Sequence, residues 1–131
     1  MKNIHLLLFI CCFTFMAFQC DDEDNLPTSK ESEQKALNNS KKAIEALAGT
    51  SVCNETTTCK FIALGSKPCG GPWSYLVYST SIDVKKLETM VEAYNKSEAA
   101  FNQKWNIASD CAYAMPPASV NCENNTCVAI Y

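Results

Sequence analysis

Nine cysteines, at positions 11, 12, 20, 53, 59, 69, 111, 122 and 127, constrain this chain more than any other feature. From Cys53 onward the spacings are C-x5-C, C-x9-C, a gap of 41 residues, C-x10-C and C-x4-C. None is the C-x2-C step of zinc ribbons or dithiol redox motifs, so the pattern reads as a disulfide framework and not as a metal site. The two shortest spacings predict local clips, Cys53–Cys59 and Cys122–Cys127, which leaves Cys69–Cys111 as the third bond.

The remaining cysteines belong to the start of the chain. Leu6 to Phe18 is an apolar run broken only by Thr14. It is too short for a membrane-spanning helix of about 20 residues and has the length of a signal-peptide core. Cys20 follows Met16-Ala17-Phe18-Gln19 and is itself followed by Asp21, Asp22, Glu23 and Asp24. This stretch resembles a bacterial lipoprotein signal, of the form found on surface lipoproteins of the Bacteroidota group, in which the cysteine becomes the acylated first residue. The family's small residue before the cysteine is replaced here by Gln19.

The resemblance implies a signal peptide over 1–19, an acidic tether over 20–27, a single domain over 28–131 and a lipid on Cys20. Sulfur parity agrees: with Cys11 and Cys12 in the leader, seven cysteines remain, and one must be accounted for apart from disulfides. The expected location is the cell envelope, with the chain held to the outer membrane, on its periplasmic or surface face, by its N-terminal lipid.

Composition excludes more than it assigns. From Cys20 onward there are ten lysines against fourteen acids, a net charge of −4, with no arginine and no histidine, because His5 lies in the leader. Ser-His and Cys-His nucleophile pairs, imidazole metal sites and arginine phosphate clamps are therefore missing. No basic cluster suggests nucleic acid. The expectation is a non-enzymatic domain with no cofactor and no metal.

Hydrophobic spacing gives the fold class: α+β, two helices, the second long, on a small antiparallel sheet. Thr28 to Ala48 reads as a helix, with Thr28 and Glu31 at capping-box spacing and Gly49 as a left-handed C-terminal residue. Lys60 to Leu64 and Trp73 to Tyr78 read as strands. The second helix, from Asp83 to about Trp105, carries Val84, Leu87, Val91, Tyr94, Phe101 and Trp105 along one face. A short strand is expected over Cys111 to Met115. A terminal hairpin of Val120–Cys122 and Cys127–Tyr131 should turn at its asparagines.

The stretch KPCGGPWSYLVY, Lys67 to Tyr78, is the candidate site. Two prolines, a Gly-Gly pair and a cysteine would make a rigid loop, so a partner binding it would lose little entropy. Lys67, Trp73 and Tyr75 are the candidate contacts, since aromatic residues anchor binding surfaces. One version is an inhibitor of a protease or other hydrolase, with Lys67 entering an acidic pocket. The structural alternative is a tight turn packed under the second helix, with Trp73 in the core. A carboxylate-only enzyme would need a pair such as Glu98 and Asp110 to converge across a cleft.

From Cys53 onward the pattern KPCGGPW, a long helix, SDC, PP and a final C…CVA resembles a family of small uncharacterised bacterial exported proteins and lipoproteins. The resemblance implies a domain boundary and no particular activity.

Overall fold

The computed structural model describes residues 29–131. The leader, Cys20, the acidic tether and Thr28 lie outside the described residues.

Helix α1 (Lys30–Gly49) starts at Ser29, whose hydroxyl accepts from the Ser32 N–H at 3.2 Å. It buries Leu37, Ile44 and Ala48, at steps of seven and four, while lysines and glutamates occupy the other face. Gly49 is the last helical residue and not a left-handed cap. Thr50, with φ −81, ends the helix, and its N–H donates to the Leu47 carbonyl.

Strands β1 (Cys59–Leu64) and β2 (Ser74–Ser79) form an antiparallel hairpin that pairs Ile62 with Leu76 and Leu64 with Ser74. Ile62, Leu64, Leu76 and Tyr78 share one face of this hairpin and join the core. Helix α2 (Val84–Lys104) is capped by Asp83, which accepts from the Lys86 N–H at 2.9 Å. Its buried row is Leu87, Val91, Tyr94 and Phe101, as the spacing predicts. Removing a side chain such as Leu87 or Ile44, both fully buried, from water contributes about 1.5–3 kcal/mol each. Glu33 near the start of α1 accepts from the Trp105 indole at 2.9 Å and pairs with Lys104, so the start of one helix is tied to the end of the other.

Strands β3 (Ser119–Glu123) and β4 (Thr126–Ile130) make the terminal hairpin. Asn124 and Asn125 both have positive φ, 49 and 63, the geometry of a two-residue type I′ turn. The architecture is α+β, with two helices and two separate two-stranded antiparallel sheets in place of one continuous sheet. The expected strand at Cys111–Met115 does not form. Pro116 and Pro117 remove two ladder donors, and the Ala112 carbonyl accepts from the Lys67 ammonium instead of from a neighbouring strand. No helix among the described residues is long and apolar enough to cross a membrane.

The disulfides correct two of the three expected pairings. Cys69 is bonded to Cys111 as anticipated, but Cys53 pairs with Cys122 and Cys59 with Cys127. The local clips fail because tertiary contact outweighs sequence proximity. Cys122 and Cys127 sit directly opposite each other on the β3–β4 hairpin and present their sulfurs on one face. The Cys53 N–H donates to the Asn125 carbonyl at 3.0 Å, which seats the 50–58 loop on that hairpin. Each hairpin cysteine then meets a partner from the first half of the chain, and the two bonds lie side by side.

Candidate functional site

The loop between β1 and β2 is shaped by its own turn and by one flank of α2. Within it, the Lys67 N–H donates to the Gly71 carbonyl at 2.8 Å and the Gly70 N–H to the Lys67 carbonyl at 2.9 Å. Gly70 and Gly71 hold φ of +94 and +79, which a residue with a side chain rarely adopts. The Trp73 N–H donates to the Leu64 carbonyl at 3.1 Å and closes the loop at its base.

Three polar side chains of α2, Asn95, Glu98 and Asn102, sit at steps of three and four and so form one row. That row reads the loop backbone. Asn95 accepts from the Gly65 N–H at 2.6 Å and donates to the Ala63 carbonyl at 3.1 Å. Glu98 accepts from the Ser66 N–H at 2.6 Å, and Asn102 donates to the Ser66 carbonyl at 2.7 Å. Four backbone groups at the end of β1 are thus satisfied by helix side chains where a strand would otherwise be needed. Gly65 makes the close approach possible: it has φ +89, and a Cβ there would lie 2.6 Å from the Trp73 ring and 2.9 Å from the Glu98 carboxylate.

Lys67 is held from the other side. Its ammonium donates to Asp110 at 2.9 Å and to the Ala112 carbonyl at 2.7 Å, and it stands 5.0 Å from the centre of the Trp73 ring. The Cys69–Cys111 bond fastens the same two segments. The hydrogen bond from Lys67, and then its charge, hold the Asp110 carboxyl below the usual carboxylate range.

The candidate contacts therefore separate. The Lys67 side chain is only 9% exposed and is spent inside the protein, so it does not project toward an acidic pocket. Tyr75 is half-buried on β2 and meets Phe61 edge to face, with ring centres 5.7 Å apart. Trp73 alone of the three is presented, at 42% exposure, so it is not the core residue of the structural alternative either. The loop packs on the α2 flank and leaves its tryptophan facing outward. Tyr113 and Met115, on the segment clamped by Lys67, are 72% and 67% exposed.

Glu98 and Asp110 do not work as a pair. Glu98 accepts from Ser66 and from the Tyr94 hydroxyl at 2.9 Å, whereas Asp110 is engaged by Lys67, and they share no partner. Burial first, then the Glu98 hydrogen bond, push the Tyr94 hydroxyl well above its ordinary value. In the sequence Glu98 stands out only as half of a candidate carboxylate pair with Asp110, and Asn95 and Asn102 do not stand out at all. The signal was present: a polar row at helical spacing beside an apolar one, too regular for a purely solvated face.

Two recesses flank this region. One, of about 340 Å³, lies between the helices and is lined by Leu37, Ser40, Ala100 and Phe101 with the Glu33–Lys104 pair. The other, of about 380 Å³, runs beside Lys67, Pro68, Asn102 and Asn106. The titratable groups in the first are Glu33 and Lys104, paired with each other, and the second holds Lys67, which is engaged by Asp110. The sulfurs of Cys53, Cys59 and Cys127 lie within 4.8 Å of one another, and all three are engaged in disulfides.

No family model, no curated protein and no solved structure matches this chain.

Proposed function

We propose that this chain is a lipid-anchored domain of the bacterial cell envelope, acylated at Cys20, that acts by binding and not by catalysis. The observation that carries the reading is sulfur parity. All six cysteines among the described residues are joined in three bridges, so past the apolar leader the single cysteine left over is Cys20. Its position directly after that leader is where a lipoprotein signal carries its acylated residue. The test is detergent-phase partitioning of the protein expressed in a bacterial host. The native chain should enter the detergent phase and the Cys20→Ser variant should not; a native chain that stays in the aqueous phase refutes the anchor.

Within this role the contact surface is the clamped face that bears Trp73 and Tyr113. The Trp73 ring and the Ala112 carbonyl meet the same ammonium, so an exposed aromatic and the segment beside it are held in fixed relation. A surface ordered in advance loses little entropy when a protein partner docks, and aromatic anchors supply much of the binding energy. This reading keeps Trp73 as the anchor and leaves Lys67 a positioning role.

A further inference from the structure

Four of the six bridged cysteines meet where the 50–58 loop and β1 touch the β3–β4 hairpin. The sulfurs of Cys53, Cys59 and Cys127 lie within 4.8 Å of one another, and Cys122 is bonded to Cys53. Two disulfides are therefore in near contact, each within reach of the other's sulfurs. Burial is graded across the cluster: Cys122 is exposed, Cys59 and Cys127 are half-buried and Cys53 is buried.

The hairpin also prepares a different bond. Cys122 and Cys127 are cross-strand partners one step from the Glu123–Thr126 pair that closes the two-residue turn. The closing pair of such a turn exchanges its hydrogen bonds, so the next pair is of the non-bonded kind, with Cα atoms about 4.5 Å apart. That is inside the range of about 4.4–6.8 Å over which two cysteines can be bridged.

We propose that this four-sulfur cluster is a thiol–disulfide exchange site, whose reactant is an external thiolate, and that it relays one attack into a second covalent pairing. The thiolate attacks the sulfur of Cys122, the exposed residue of the four, forms a mixed disulfide there and expels Cys53 as a thiolate. Cys53 attacks the neighbouring Cys59 sulfur, forms Cys53–Cys59 and expels Cys127. Cys127 attacks the Cys122 sulfur across the hairpin, forms Cys122–Cys127 and returns the external thiolate. Three bonds break and three form, no electrons are gained or lost, and the thiolate is regenerated. The product carries both local clips, and the terminal hairpin loses its covalent ties to Cys53 and Cys59. Cys69–Cys111 takes no part, because no third cysteine sulfur accompanies it among the described residues.

The chain's lysines make the test direct. Cleavage after Lys42, Lys60 and Lys104 places Cys53 and Cys59 together in peptide 43–60 and Cys111, Cys122 and Cys127 together in peptide 105–131. The two peptides are joined by two bonds in the structure described here. The folded, full-length protein is treated with a substoichiometric amount of reduced glutathione at mildly alkaline pH without denaturant. It is then alkylated, digested without reduction and analysed by mass spectrometry. The expected result is loss of the link, with 43–60 released carrying an internal bridge while Cys69 remains joined to 105–131. In a Cys59→Ala, Cys127→Ala double variant the relay is cut, so glutathione should stay on Cys122 with Cys53 alkylated. The proposal is overturned if 43–60 stays linked, if Cys69 scrambles along with it, as general unfolding would cause, or if the double variant traps no glutathione.

Discussion

The contributions of two disulfides that run in parallel should not add in full, and the structure gives the size of the shortfall. Cys53–Cys122 and Cys59–Cys127 span sequence separations of 69 and 68. Taken alone, either one restricts the unfolded chain by about 4.4 kcal/mol at 25 °C in the chain-entropy account. With one already formed the second adds far less. Cys59 lies six residues after Cys53 and Cys127 five after Cys122, so the second bond closes a loop of about 11 residues, worth about 3 kcal/mol. Replacing one pair with alanine should therefore cost about 3 kcal/mol, whichever pair is chosen, and replacing both about 7 kcal/mol. The assay is equilibrium urea unfolding of the native protein, the two double variants and the quadruple variant, with the m-value followed because a less restricted unfolded state exposes more surface. If each pair removed alone costs the full long-loop amount and the losses simply add, the bonds act independently and the side-by-side arrangement is wrong.

Three further outcomes follow from the geometry. Gly65→Ala should destabilise the fold by about 1–3 kcal/mol, because the new Cβ meets the Trp73 ring at 2.6 Å in a backbone conformation that alanine disfavours; thermal melting measures it. The Tyr94 hydroxyl is raised above its ordinary value of 10.0, so its contribution to stability is complete below about pH 10 and is lost as pH rises through the higher folded value. Alkaline unfolding should thus begin above pH 10, and Tyr94→Phe should lessen that dependence and leave the share of Tyr78, whose hydroxyl is also raised by burial and by Glu88, as seen by circular dichroism. Asp110 moves the other way: its lowered value means that the Lys67 pair supports the native state above the ordinary carboxylate range and fades as pH falls through the folded value. Asp110→Asn should lessen the acid sensitivity of the clamp, measured by the fluorescence of Trp73, the indole beside Lys67.

Periodicity revealed the elements and little of their closure. The α2 row of Leu87, Val91, Tyr94 and Phe101 and the Asn124-Asn125 turn were legible because each depends on neighbours within a few residues. The disulfide pairing was not. Spacing favoured the short loops, whereas the bonds that form depend on the Cys53 N–H finding the Asn125 carbonyl across 72 residues. The strand expected at Cys111–Met115 is absent for a related reason: a β-compatible sequence is held by the Lys67 side chain instead of by a neighbouring strand. Lys67 itself looked like a displayed cation, and nothing local to it announces that Asp110 and Ala112 will surround it. The Asn95–Glu98–Asn102 row could have been found, since its spacing is helical and its chemistry suits backbone groups.

The central claim is that one sulfur carries lipid and six carry one another. Intact mass of the membrane-extracted full-length protein, taken before and after reduction, tests both halves together. The account predicts a mature chain that begins at Cys20 with added acyl mass and gains two hydrogens at each of three bridges on reduction. An unacylated Cys20, or thiols that react with an alkylating agent before any reductant is added, would contradict it.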